Sequence, residues 1–395
     1  MKIGIVTNWY PSGAGYVSKA YFESLSRDHE VFIYARGGEI MKHDPSWDQN
    51  YVYWAPYHPN GIRIGNLVKW IKKQKPDIIF FNEQRFWKPV YVAKKLGVLT
   101  GAYIDYYKQN TVKAFSLYDF LICNTKRHYS VFSWHNNSFY VPWGTYIEKF
   151  KPVKRPSRKL TFIHSIGWQG RSTLDRRGTL LLLKAFEKIL KDCTLLIYSQ
   201  KKLEDCLPEI QDAVKHDDRI SFIYGTFDPV PYTDGDVFIY PSRLEGIGLT
   251  LPEALSSGLP AITTDAPPMN EFVKDGINGT LIKVNQLLGR KDGYYWPESI
   301  SNIESLVQAM ENYFDDEVLL LQGTMAREIA EIELDWRKNE DYLNKIFSEA
   351  AQNKISLTPD LIQIADQLDD EMAPSLLLRS KYLIYDFIKM IFNKR

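Results

Sequence analysis

Residues 241–260 read PSRLEGIGLTLPEALSSGLP and place two carboxylates, Glu245 and Glu253, eight positions apart. Glu245 lies beside glycines at 246 and 248, where the backbone is free to bend around a ligand. Glu253 follows Pro252, which suits the first position of a helix, so PEALSS is expected to be helical with Glu253 in its first turn. There the helix dipole keeps a carboxylate ionised, able to accept two hydrogen bonds from a vicinal diol. The two acids do not share a helical face, so an acid/base dyad of the glycosidase type is not implied. On the residues alone, simple dipole stabilisation for Glu253 and a solvated loop acid for Glu245 remain equal alternatives.

Two other stretches carry chemistry. QGRSTLDRRGT, residues 169–179, offers Arg171, Arg176 and Arg177 between a strand and a helix. Helix N-termini usually favour acids, so three guanidinium groups there suggest a strongly anionic guest such as a diphosphate. A solvated basic loop is the alternative. YPSGAGYVS, residues 10–18, puts Gly13 and Gly15 between the first strand and the first helix, where a backbone can approach a phosphate or a sugar. Ser18 stands where the third glycine of a dinucleotide fingerprint would be, and a plain tight turn is the alternative reading.

The elements that must position these residues are short apolar runs alternating with helical patterns. KIGIVT is a strand, followed by AGYVSKAYFESLSR with Val17, Ala20, Tyr21 and Leu25 on one helical face. VFIYA, DIIFF, GVLTGAYI and YDFLICNT are further strands, nearly continuous in apolar residues as a doubly covered parallel sheet requires. KFKPVKRPSRK, near residue 150, is basic and proline-bearing and reads as a linker. A second set follows: LTFIHSI, helix RGTLLLLKAFEKIL, CTLLIYS, a helix over 203–215, RISFIYG, DVFIYPS, helix PEALSS and LPAITTD. The fold class expected is α/β, two Rossmann-like doubly wound domains facing an interdomain cleft, spanning 1–150 and 151–345 with a C-terminal extension over 346–395. Ligands of such sheets bind outside the carboxyl ends of the strands, and the motifs fall there.

The bulk properties agree. A chain of 395 residues with 45% hydrophobic content suits two globular domains. A net charge of +1 lacks the basic footprint of a nucleic-acid binder. Cys123, Cys193 and Cys206 form neither a disulfide framework nor a CxxC pair, which fits a reducing compartment. No run of eighteen apolar residues occurs, and MKIGIVTNWYP is too short in its apolar part for a signal peptide, so a cytoplasmic protein is expected. No cofactor and no metal site are expected. Seven of the ten tryptophans, Trp9, Trp47, Trp54, Trp70, Trp87, Trp134 and Trp143, precede residue 150; they offer stacking faces for an oligosaccharide, with core packing the alternative for each. The tail, SLLLRSKYLIYDFIKMIFNKR (375–395), has the character of a basic amphipathic helix for an anionic membrane surface, with packing against protein as the alternative.

EGIGLTLPE, within DVFIYPSRLEGIGLTLPEALSSGLPAITTD, resembles the E-x7-E signature of family-4 retaining glycosyltransferases of the GT-B fold. GR at 170–171 and RG at 177–178 resemble that family's G-R-x5-K-G segment, with Arg177 in place of lysine. VPWGTYIEKFKP (141–152) resembles its linker, with Tyr146 where aspartate is common, and SGAG resembles its N-terminal glycine loop. The resemblance spans residues 1 to about 345 and is strongest in the second half. It implies that Glu245 meets hydroxyls of the donor sugar, Glu253 the ribose diol, and Arg171 and Arg177 the diphosphate, with Gly13, Gly15, Gly246, Ile247, Gly248 and Leu249 completing the donor site. Many members carry a histidine after the strand matching PDIIFF; here NEQRFW follows, so Asn82 or Glu83 takes that place as a sugar contact, and Glu83 is otherwise a helix-start acid.

The expected function is therefore retaining sugar transfer from a nucleotide-diphosphate-sugar to a glycan or lipid-linked acceptor in cell-surface polysaccharide or glycoconjugate synthesis. Retention and a peripheral position at the inner face of the membrane belong to that expectation. Arg171, Arg177 and Glu245 are its catalytic residues. A GT-B sugar-nucleotide epimerase and a catalytically silent GT-B scaffold subunit are the alternatives.

Overall fold

The computed structural model describes residues 1–36, 38, 44–56, 58, 61–152, 159–167, 175–350, 352 and 354–372. Arg171, most of the expected linker (153–158) and the tail at 375–395 lie outside the described residues.

The chain forms two compact units. One holds Met1–Ile122, Phe132–Phe139 and the described residues from Tyr342 on; the other holds Cys123–Val131 and Tyr140–Asp341.

In the first unit, β1 (Lys2–Thr7), α1 (Gly13–Leu25), β2 (Glu30–Ala35), β3 (Val52–Trp54), α2 (Ile64–Gln74), β4 (Ile78–Asn82), α3 (Lys88–Lys95), β5 (Leu99–Tyr103), β6 (Phe120–Cys123) and β7 (Ser138–Tyr140) follow one another; the short α4 (Lys126–Phe132), between β6 and β7, falls almost wholly in the second unit. The sheet order is β3-β2-β1-β4-β5-β6-β7, parallel through β6, with Ile3 opposite Val31 on one side and Ile78 on the other. Continuous burial along β1, β4 and β5 explains their unbroken apolar sequence, because helices cover both faces. On α1, Val17, Tyr21 and Leu25 are buried as their spacing predicts, while Ala20 is half-buried.

In the second unit, β8 (Leu160–Gly167), α5 (Thr179–Glu187), β9 (Cys193–Ser199), α6 (Pro208–His216), β10 (Ile220–Tyr224), β11 (Val237–Tyr240), α7 (Thr250–Ser256), β12 (Ala261–Thr264) and β13 (Gly279–Ile282) form an all-parallel sheet in the order β10-β9-β8-β11-β12-β13. Its core gathers Phe162, Leu182, Phe186, Leu195, Ile197 and Ile239. An antiparallel hairpin, β14 (Val284–Leu288) with β15 (Glu298–Ser301), precedes α8 (Ile303–Asn312) and α9 (Asp316–Glu333).

The chain then returns to the first unit through α10 (Glu340–Ala350) and α11 (Pro359–Met372). The acidic stretch at 366–371 docks on α3: the Asp369 carboxylate accepts from the Trp87 and Lys88 amides at 2.8 and 2.9 Å, capping that helix, and Tyr91 donates to Asp366 at 2.7 Å.

Two helix boundaries differ from expectation. The helix over 203–215 splits into a turn at Leu203–Asp205 and α6, because Pro208 suits a helix start and cannot donate to a preceding turn. The PEALSS helix begins at Thr250, so Pro252 is its third residue and Glu253 its fourth.

Each sheet reverses its winding direction once. The reversal falls between β1 and β4 in the first unit and between β8 and β11 in the second. Those are the switch points at which open α/β sheets bind ligands.

Candidate functional site

At the switch point of the second unit, β8 leads towards Arg177 and β11 leads into the loop carrying Glu245. The structure brings these two side chains together. Arg177 Nη1 donates to Glu245 Oε1 and to the Tyr240 hydroxyl, with the guanidinium 5.4 Å from the Tyr240 ring centroid. Ser242 donates to Glu245 Oε1 at 2.5 Å. Glu245 is 5% exposed, so it is no solvated loop acid. Burial pushes its carboxyl up, but Arg177, Arg176 and Ser242 outweigh burial and hold it below the usual range. Arg177 is raised in turn: burial opposes its charge and the Glu245 and Tyr240 contacts more than offset that. Its Nε is a buried donor with no partner among the described residues.

Gly246, Ile247, Gly248 and Leu249 continue the loop, with Ile247 and Gly248 buried and Gly246 and Leu249 half-buried. Gly248 has φ +87°, which strains any residue with a Cβ.

Glu253 corrects its expectation. It lies in the first turn of α7 as expected, but the helix dipole does not hold it fully ionised. Burial of its carboxyl pushes the pKa up to about 7; the Tyr232 bond works against that and Asp228 adds to it. The Tyr232 hydroxyl donates to Glu253 Oε2 at 2.7 Å. That bond ties Glu253 to Tyr232, whereas Glu245 is tied to Arg177 and Ser242.

The amides at the start of α5 are likewise not free for a diphosphate. Asp175 accepts from the Thr179 and Leu180 amides at 2.9 and 2.7 Å. Beside them, buried His164 has its Nδ1 2.8 Å from the Ile239 carbonyl and Nε2 2.9 Å from the Thr179 hydroxyl. A carbonyl only accepts, so Nδ1 carries the proton and Nε2 accepts from Thr179. Burial lowers this histidine to about 4, against the pull of the Ile239 bond, so it stays neutral.

At the switch point of the first unit, Ser12 caps α1 by accepting from the Gly15 amide at 3.2 Å. Gly13 is exposed at the helix start. A Cβ on Gly15 would lie 2.0 Å from the Tyr10 carbonyl oxygen, so close packing alone demands glycine there. Asn82 is 1% exposed and donates to the Ala14 carbonyl at 2.8 Å and to Ser18 at 2.5 Å, tying the end of β4 to the glycine loop.

Glu83 is no helix-start acid: α3 begins at Lys88, and Glu83 occupies a left-handed turn at φ +50°. Such strain persists where surroundings over-determine it. Here buried Arg36 donates to the Asn82 carbonyl at 2.6 Å, to the Glu83 carbonyl at 3.2 Å and to Gln84 at 3.1 Å. Burial, then a hydrogen-bonded Asp105, push the Glu83 carboxyl up to about 7 against Arg36 and Arg85, so the two acids share a proton.

Of the seven tryptophans, Trp9, Trp47, Trp54, Trp70, Trp87 and Trp143 are buried packing residues, and only Trp134, 47% exposed, offers a face. Sequence reasoning missed Tyr232, Asp105, Arg36 and the pair Arg127–His128 described below, none of which sits in a local motif.

Two doubly wound, parallel-sheet α/β units, each with a polar cluster at its switch point, are the architecture of the GT-B fold. HepE from Anabaena, solved in complex with UDP and glucose, superposes with a TM-score of 0.70 at 16% identity, over 88% of this chain and 100% of that one. Residues 163–289 match the family model for glycosyl transferases group 1. The GtfA subunit of a UDP-N-acetylglucosamine–peptide N-acetylglucosaminyltransferase from Streptococcus pneumoniae is 50% identical over 52 residues, 13% of this chain and 10% of that protein. A UDP-Gal:alpha-D-GlcNAc-diphosphoundecaprenol alpha-1,3-galactosyltransferase from Escherichia coli is 33% identical over 92 residues, 23% of this chain and 20% of that protein. The chain thus spans 10% to 20% of the length of these curated relatives.

Proposed function

We propose that the protein is a glycosyltransferase that moves a sugar from a nucleoside-diphosphate-sugar, with UDP as the nucleotide, to a glycan or lipid-linked acceptor. The observation that carries this reading is the buried Arg177–Glu245 pair at the switch point of the unit matching the group 1 glycosyltransferase model. UDP is favoured because it recurs in the names of the relatives and in the HepE complex.

Departure of a nucleoside diphosphate develops negative charge. A preorganised guanidinium meets that charge without reorganising at the moment of reaction. Arg177, oriented by its Nη1 bond to Glu245, is assigned to this charge, and Arg171 is assigned to the same diphosphate. No metal is needed in this account. Glu245, held ionised, accepts from donor-sugar hydroxyls. Glu253, once ionised, accepts from the ribose diol in exchange for its bond from Tyr232. Asn82 or Glu83 is assigned as the sugar contact of the first unit. Retention and membership of family 4 rest on the resemblance of the E-x7-E stretch. The tail at 375–395 is assigned to an anionic membrane surface on its sequence alone.

The test is a thermal-shift panel of UDP, GDP, ADP and dTDP, followed by incubation with UDP-sugars with and without acceptor. UDP should raise the melting temperature most, since a ligand that binds only the folded state stabilises it. Altered free nucleotide-sugar without acceptor would point instead to an epimerase, and binding without turnover to a scaffold.

A further inference from the structure

Residues 123–131 cross into the second unit and place Arg127 and His128 against the loop that carries Glu245. Arg127 Nη2 donates to the Glu245 carbonyl and lies 3.5 Å from the Gly246 carbonyl, and Nη1 donates to the Pro267 carbonyl at 3.0 Å. Tyr294 and the Trp296 ring flank the same guanidinium, at 3.4 and 5.5 Å. His128 Nε2 is 3.1 Å from the Gly246 carbonyl, which fixes the proton on that nitrogen. Arg127 is 3% and His128 0% exposed. Their own backbone is anchored by Glu271, which accepts from the Lys126 and Arg127 amides at 2.6 and 2.9 Å.

The consequence follows from peptide geometry. A trans peptide sets its C=O and N–H on opposite sides. The Glu245 carbonyl shares a plane with the Gly246 amide, and the Gly246 carbonyl with the Ile247 amide. Drawing both carbonyls towards Arg127 and His128 turns two successive N–H groups the other way, an arrangement that receives an anionic or polar oxygen. A planar fork is required, because one side chain must reach the Glu245, Gly246 and Pro267 carbonyls together.

We propose that Arg127 and His128 are positioning residues that lock the Glu245–Ile247 backbone so that the Gly246 and Ile247 amides face an oxygen of the donor, on its diphosphate or on its sugar. The donor half of this statement rests on the function proposed above; the lock does not. Burial, reinforced by Arg127, holds His128 neutral well below its ordinary pKa, so its bond to Gly246 persists through the physiological range.

The experiment is amide hydrogen exchange on the full chain, with UDP and UDP-glucose titrations, for wild type, Arg127→Met, Arg127→Lys, His128→Leu and His128→Gln. Peptides over 244–250 should exchange at least tenfold faster in R127M and H128L, while peptides over β11 keep their wild-type rate. H128Q, which retains a donor, should stay within about twofold of wild type, and R127K should recover only part of the protection. R127M should weaken UDP-glucose binding at least tenfold. An equal loss for UDP places the amides on the diphosphate, and an unchanged UDP affinity places them on the sugar. Unchanged loop exchange, a uniform rise across the second unit, or faster exchange with unaltered affinity for both ligands would each overturn the proposal. Wild-type protein that binds neither ligand would overturn the donor reading, while the exchange result would still decide the lock.

Discussion

Replacing Glu253 by glutamine should stabilise the protein at alkaline pH and weaken its hold on a nucleotide. The Glu253 carboxyl has a folded-state pKa of about 7 against an ordinary 4.5. A raised carboxyl binds its proton more tightly when folded. Its contribution to stability is therefore full below the unfolded value and is lost as pH rises through the folded one. A shift of that size corresponds to about 3 kcal/mol. Glu253 is half-buried as a residue, so screening by water brings the expected loss down to about 1–2 kcal/mol between roughly pH 4.5 and pH 8. A glutamine side chain does not titrate, and its amide oxygen still accepts from Tyr232. Urea midpoints of wild type and Glu253→Gln should coincide near pH 5 and separate above pH 7, with the variant the more stable. Ribose hydroxyls favour the ionised acid, so wild-type affinity for UDP should rise from pH 6 to pH 8, while the variant binds UDP weakly and without that trend. Parallel stability profiles for the two proteins would refute the claim that Glu253 is the titrating group. A variant that binds UDP like wild type would refute its role in the nucleotide site.

Arg177→Ala leaves Glu245 buried without its counter-ion, which costs about 3–5 kcal/mol, so this variant should lose stability as well as turnover. Arg177→Lys keeps the charge but not the fork, and should lose about a hundredfold in turnover, roughly 3 kcal/mol, with a much smaller shift in the urea midpoint; a wild-type midpoint for Arg177→Ala would contradict the pairing. Glu83→Gln should remove an inflection near pH 7 from the activity profile, because the proton shared with Asp105 is then gone; an inflection that survives belongs to another group. Transfer should persist within about twofold in EDTA, and a strict need for manganese or magnesium would contradict stabilisation by guanidinium. Deleting residues 375–395 should spare transfer to a soluble acceptor and weaken binding to anionic vesicles, by roughly 1 kcal/mol for each basic residue near the surface; aggregation of the truncated chain, with full-length protein indifferent to vesicles, would make the tail a packing element.

What could be read from the sequence was what local pattern determines. Unbroken apolar runs separated by helical periodicity announced parallel sheets, and CTLLIYS forms β9 at its expected bounds. The rule that ligands gather where strands end selected Arg177 and Glu245, and the structure pairs them. Local rules failed where burial by distant residues decides the chemistry. The dipole argument for Glu253 considered its own helix and overlooked the burial of the carboxyl, which raises its pKa even though Tyr232, 21 residues earlier, donates a hydrogen bond that works the other way. Gly15 looked like a ligand-facing glycine, yet the Tyr10 carbonyl fills the space a side chain would take. Arg127 and His128 had no signal at all. NTKRHYS reads as an ordinary helix start, and their partners lie 118 residues away in a loop whose carbonyls leave no mark on the sequence. The glycines of that loop permit many conformations, so the sequence around Glu245 specifies flexibility. The single conformation a donor would require is imposed from outside the motif, by a guanidinium and an imidazole that no spacing rule connects to it.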